Sequence, residues 1–207
     1  MRRWFMAALL LLPTLAQAQP PEITQVLKAA HAQVGVTRHY DGSYVRLDYP
    51  GGDVPADRGV CTDVVIRAYR AAGLDLQLAV NEDMRRNFAA YPQLWGLSRP
   101  DRNIDHRRVP NLETWARRAG HALPVTTDPA AYRPGDLVSW RLPNGLPHIG
   151  VVSDRRTFDG SNRPLIVHNI GAGARVEDVL FAWPPVGHFR IFRDPEPAAS
   201  PPGRASQ

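Results

Sequence analysis

Cys61 is the single cysteine of the chain. A lone thiol cannot staple two parts of one chain together. It is therefore either a small buried apolar side chain or a reactive nucleophile. Its position favours chemistry. Gly59 and Val60 precede it, and a helical pattern begins at Cys61 or Thr62. The unpaired N–H groups and positive dipole end of a helix start favour a thiolate, which predicts a pKa below the ordinary value of about 8.5. Asp63, in the same first turn, opposes this. The backbone N–H of Cys61 would also help to hold an oxyanion.

A thiol of this kind needs an imidazole to take and return its proton, and a second group to orient that imidazole. Two of the seven histidines meet the requirement. His148 opens an apolar strand pattern, His148 to Ser153, and His168 nearly closes another, Leu165 to Asn169. In an antiparallel hairpin the start of the first strand lies beside the end of the second. The midpoint of the two histidines, position 158, falls within the polar loop 154–164, so a simple hairpin brings them together. The remaining histidines lack such company. Asn169 and Asp63 are candidates to assist, with roles the sequence leaves open. Cys61, His148 and His168 are also types that bind zinc, but no fourth ligand stands out and Cys-x-x-Cys spacing is absent. The expectation is no metal and no cofactor.

The elements that must carry these residues can be read from periodicity. Ile23, Val26, Leu27 and Ala30 predict a helix over Pro21 to Ala32. Val64, Val65, Ala68 and Ala72 give the Cys61 helix an inner face, and Gly73 ends it. Tyr40 to Arg58, rich in Gly, Pro, Asp and Tyr, predicts an ordered loop. Between Asp75 and Thr127 the pattern supports a short helix around Asp83 to Phe88 and another capped by Asn111 that buries Leu112, Trp115 and Ala119. From Pro134 the period changes to that of strands: Asp136 to Arg141, His148 to Ser153, Leu165 to Asn169 and His188 to Phe192, with Gly171 and Gly173 marking a bend. Helices first and consecutive short strands afterwards predict an α+β domain with an antiparallel sheet.

The ends of the chain speak to compartment. Arg2 and Arg3, the apolar run Trp4 to Leu15, and Ala16-Gln17-Ala18 have the three-part layout of a secretory signal. The run is too short to span a bilayer. Residues 1–18 are thus expected to be removed, leaving a periplasmic or secreted chain that starts near Gln19 and has no membrane span. The formal charge of +5 includes Arg2 and Arg3, so the mature chain carries +3. Its arginines are interspersed with acids, which argues against a nucleic-acid partner. Residues 19–193 suffice for one domain, and 194–207, rich in Pro, Ala and Ser, predict a disordered tail.

Three segments in series now resemble the NlpC-type branch of papain-like cysteine peptidases: Gly59-Val60-Cys61-Thr62-Asp63 opening a helix, Pro134-Gly135-Asp136-Leu137-Val138 in a strand, and His148-Ile149-Gly150-Val151-Val152 in the next. The chain is similar, more closely still, to a widespread bacterial family of secreted proteins described as a domain of unknown function. That likeness is carried by Tyr49-Pro50-Gly51-Gly52-Asp53-Val54-Pro55, Gly59 through Tyr69, Trp95-Gly96-Leu97, Asn103-Ile104-Asp105-His106-Arg107, Leu146-Pro147-His148-Ile149-Gly150 and Leu165 through Gly171, and spans about Thr37 to Arg190. The resemblance implies a papain-like fold, a nucleophile helix packed on an antiparallel sheet, and a catalytic site of Cys61, His148 and His168. It also implies a tyrosine bordering the site, with Tyr49 the first match and Tyr40 the second. The chain departs from the branch in having Val60 before the cysteine and Thr62-Asp63 after it, and in the length between Cys61 and His148, so that about 75–127 reads as an insertion. These departures bear on substrate more than on machinery.

The string Asp101 to Arg108 reads as a solvated charged loop, within which Arg107 and Arg108 could clamp a substrate carboxylate. Together these features predict an exported thiol hydrolase acting on amide bonds, in peptidoglycan stem peptides or at the sugar–peptide junction. Acyl transfer by the same site, or a non-catalytic wall-binding module, are the alternatives left open.

Overall fold

A computed structural model describes residues 19–193. The expected signal and tail segments lie outside the described residues. Helix α1 (Pro21–Ala32) is followed by two short strands, β1 (His39–Tyr40) and β2 (Arg58–Gly59), that pair in parallel and bracket the Tyr40–Arg58 loop. Helix α2 (Cys61–Ala71) begins at the cysteine, as its pattern predicts. Helices α3 (Leu76–Asn87) and α4 (Val109–Arg118) follow, joined through a 3₁₀ turn at Asp105–Arg107. Strands β3 (Ala122–Leu123), β4 (Leu137–Arg141), β5 (Pro147–Arg156), β6 (Pro164–Asn169), β7 (Ala174–Glu177) and β8 (Pro185–Phe189) form one sheet in the order β3-β8-β4-β5-β6-β7, antiparallel throughout. The domain is α+β, with the helices gathered on an antiparallel sheet.

Alternation along the strands divides the core in two. Leu137, Ile149, Val151 and Val167 join Val64, Val65, Ala68 and the apolar faces of the other helices in the larger cluster. Val138, Trp140, Val152 and Ile166 build a smaller one on the opposite face, closed by Tyr132 and Leu180. The Tyr69 hydroxyl donates to the Gly135 carbonyl at 2.6 Å and ties α2 to the turn before β4.

Several boundaries differ from expectation for local reasons. α3 is longer than the predicted Asp83–Phe88 segment because Asp75 caps it, its carboxylate accepting the Gln77 N–H at 2.9 Å. Asn111 does not cap α4. It lies inside the helix, which starts at Val109, and its Nδ2 donates to the Asp105 carbonyl at 3.1 Å. β7 alternates apolar and polar residues, Ala-Arg-Val-Glu, but over only four positions, and its pairing with β6 is what reveals it as a strand. No helix among the described residues is long and apolar enough to cross a membrane.

Candidate active site

The turn that presents Cys61 is built by three residues. Asp63 reaches back so that its Oδ2 accepts the Val60 N–H at 2.6 Å, the acidic half of a capping box. Gly59 has φ +152°, and a Cβ there would stand 2.9 Å from both Cβ and Oδ2 of Asp63, so only glycine lets the carboxylate close on the turn. Asn169, at the end of β6, donates from Nδ2 to the Gly59 carbonyl at 2.9 Å and fastens the turn to the sheet.

Cys61 is 4% exposed. Its sulfur is favoured by the backbone N–H groups of Ile149, Thr62 and Cys61 itself, two at the start of α2 and one from β5. Burial outweighs them and, with the Asp63 charge, pushes the thiol up to about 12. The expected depression of this pKa is therefore corrected. Amide dipoles at a helix start cannot compensate for a thiolate cut off from water. The site rests as a neutral thiol.

His148 and His168 are brought together, the Nε2 of one 2.8 Å from the Nδ1 of the other. The contact is diagonal rather than direct. Val151 lies opposite Val167, which puts His168 across from Gly150 and one strand position short of His148 on the same face. Gly150 makes room, since a Cβ there would come 2.4 Å from the Ile166 side chain and 3.2 Å from the His168 Cβ. His148 is held further by Trp140, its direct partner across β4 and β5, whose ring lies 5.7 Å away at 28°, and by the edge of Trp183 at 6.1 Å. Burial, then the neighbouring His168, bring His148 down to about 3. His168 is lowered as well, burial outweighing the pull of Glu177. Both rings are neutral at neutral pH.

Sequence reasoning missed Glu177. Its Oε2 lies 2.9 Å from His168 Nε2, again a diagonal contact, since Ile166 is the direct partner of Glu177. The signal would have been the two-residue alternation of β7 once its pairing was known. With both nitrogens engaged, His168 has no lone pair to spare for a metal. Among the described residues there is no group of three His, Cys, Asp or Glu able to hold one.

A cleft of about 430 Å³ opens beside Cys61, with Tyr40, Trp95, Leu146 and Arg108 among its walls. Tyr40, the second choice from sequence, is the tyrosine at the site. Burial and then the neighbouring sulfur raise its phenol to about 12, so it stays a donor. Tyr49, the first choice, is corrected. Its hydroxyl donates to Asn81 Oδ1 at 3.2 Å, and it lines a different hollow with Arg85 and Arg102. Arg107 is corrected too. It borders the cleft, but its guanidinium is consumed inside: Nε and Nη2 on the Asp63 carboxylate at 2.8 and 3.0 Å, Nη1 on the Ser43 carbonyl, and Nη2 also on that of Asp41. The expected solvated loop is instead packed at Asp105, His106 and Arg107. Arg108 keeps an outward character, 4.0 Å over the Trp95 ring with Nη1 on Asp105 at 2.9 Å.

Fold and site thus define an α+β protein with a buried thiol at a helix start, beside a strand that carries one of two linked imidazoles. Residues 27–191 match the family described as "Domain of unknown function (DUF1287)", and the chain belongs to that family. It is 58% identical over 180 residues to "Uncharacterized protein YijF" of Escherichia coli (strain K12), a match covering 87% of each chain. It is also similar to a solved structure, "Crystal structure of NlpC/p60 domain of peptidoglycan hydrolase SagA", with TM-score 0.42 and 14% identity over 82% of this chain and 98% of that one.

Proposed function

We propose that this protein is an exported thiol hydrolase that cleaves amide bonds of peptidoglycan, in the stem peptide or at the sugar–peptide junction. The observation that carries the reading is the seat of the Cys61 sulfur. It faces the N–H of Ile149, the residue joined to His148, whose ring is fixed by His168 and two tryptophans. The signal-like start of the chain supports export.

In the proposed reaction the Cys61 proton passes to Nδ1 of His148 as sulfur bonds to the amide carbonyl carbon. The neutral resting pair makes this a general-base step rather than attack by a standing thiolate. The Cys61 N–H and the Tyr40 hydroxyl stabilise the oxyanion. The C–N bond then breaks, and the leaving amine takes the proton from His148. Water, giving its proton to the same nitrogen, attacks the thioester. The C–S bond breaks, a carboxylate leaves, and the thiol regains its proton. Arg108, stacked on Trp95 at the cleft wall, receives a substrate carboxylate.

The test is incubation of the purified mature protein with muropeptides and mass spectrometry of the products. Fragments that together exceed the substrate by one water are expected, and they vanish in Cys61→Ala and His148→Ala. Added amine acceptors distinguish hydrolysis from acyl transfer. Failure of the folded protein to cleave any muropeptide across pH and reducing conditions overturns the reading.

A further inference from the structure

We infer that Glu177, acting through His168, fixes the tautomer of His148, so that Nδ1 is the bare nitrogen and Nε2 carries the proton. The chemical consequence rests on the hydrolase reading above, whereas the tautomer assignment rests on the two hydrogen-bond contacts and the neutrality of both rings.

Glu177, His168 and His148 form a hydrogen-bonded chain in which each contact fixes the direction of the next. A carboxylate has no proton to give, so the 2.9 Å contact between Glu177 Oε2 and His168 Nε2 requires the proton on that nitrogen. His168 is neutral, as its lowered pKa indicates, and therefore has a bare Nδ1. That nitrogen can only accept. The 2.8 Å contact then places a proton on Nε2 of His148. His148 is neutral also, so its Nδ1 holds a lone pair. Without Glu177 the same two rings could bond in the reverse sense, His168 Nδ1 donating to His148 Nε2. His148 would then carry its proton on Nδ1 and could not take one from a thiol. The carboxylate selects the competent sense.

The neighbours fit this role. Arg175, the direct partner of His168 across β6 and β7, places Nη1 3.8 Å from the other oxygen of Glu177, so a cation flanks the carboxylate and also disfavours a charge on His168. His168 from β6 is the titratable group in contact with it, and His148 from β5 is next in line. Glu177 is a positioning residue. It touches the site only through His168, and its own side chain is about one-third exposed.

Nitrogen-15 NMR of the imidazoles in the labelled full-length protein reads the tautomers directly. The expected result is Nε2–H for both His148 and His168, with Nδ1–H forms appearing at His148 in Glu177→Ala. Glu177→Gln, whose amide oxygen still accepts, should restore the wild-type pattern. A wild-type His148 protonated on Nδ1, or rings unchanged in Glu177→Ala, overturns the inference. In the muropeptide assay kcat should fall roughly 10- to 100-fold in Glu177→Ala with KM nearly constant, a smaller loss than for a carboxylate bonded directly to a catalytic imidazole. Glu177→Gln should recover part of it. The predicted tautomers in a protein that cleaves no muropeptide would leave the Glu177 assignment intact and sink the hydrolase reading. Hydrolysis by a protein whose rings ignore Glu177 would do the reverse.

Discussion

Asp63 and Arg107 stand 44 residues apart in sequence and share an ion pair with Nε to Oδ1 at 2.8 Å, both side chains almost wholly removed from water. One carboxylate therefore closes the turn before Cys61 and anchors the segment between α3 and α4. The same arginine reaches the Ser43 and Asp41 carbonyls, so two other stretches of chain converge on it.

Arg107→Ala should cost about 3–5 kcal/mol, because it strands the Asp63 carboxylate in the interior. Chemical denaturation measures this. Arg108→Ala, at the more open cleft wall, should leave stability within about 1 kcal/mol and raise KM. A normal fold in Arg107→Ala with a KM defect would return that residue to the substrate-clamp role.

Gly59→Ala should destabilise by about 1–3 kcal/mol, since the new methyl meets Asp63 at 2.9 Å on a backbone with φ +152°. The displaced carboxylate would also release the Val60 N–H. A thermal melt and an activity assay should show both losses together. An unaltered melting temperature would mean that the turn is not held as described.

Alkylation of Cys61 by iodoacetamide should be slow near neutral pH and accelerate as the solution becomes alkaline, because the thiol sits at about 12 and only the thiolate reacts. Mass spectrometry over a pH series gives the profile. Rapid labelling at pH 7 would reveal a standing thiolate and contradict the neutral pair.

Acid should unfold the protein through two buried histidines. His148 is brought down to about 3, and His106 to about 4 by burial and then the Arg107 and Arg70 charges. In the unfolded chain both titrate near 6.5, so between that value and their folded pKa the unfolded state binds more protons. Stability is complete above about pH 6.5 and is lost as pH falls toward 3–4, by at most about 1.4 kcal/mol per pH unit for each ring. Denaturant midpoints measured from pH 7 to 4 should decline accordingly, and less steeply in His106→Gln. A flat profile would show that these rings are not held neutral.

The lone cysteine, the start of α2 and the meeting of His148 with His168 were legible because each depends on local pattern or a single hairpin. Register was not, because the polar loop before Pro164 permits slippage and a bulge in β5 shifts the pairing. Tyr49 and Tyr40 could not be ranked correctly, since their positions depend on a loop with no periodicity. Arg107 looked exposed because its neighbours are charged, and its burial depends on a carboxylate far away in sequence. Glu177 was hidden for a related reason. Its strand alternates Ala-Arg-Val-Glu over only four residues, and nothing in so short a run names His168 as the partner of Glu177. Where the function of a side chain is set by a partner across the sheet, composition alone cannot find it.

The bond from Asn169 to the Gly59 carbonyl crosses 110 residues. Together with the Ile149 N–H at the sulfur, it makes the surroundings of Cys61 depend on contacts that close late, since segments so remote must first find each other. A nascent chain accordingly carries an ordinary thiol, and the buried setting of Cys61 arrives only with closure of the tertiary structure. Under the proposed function, assembly itself sets when this cysteine can act.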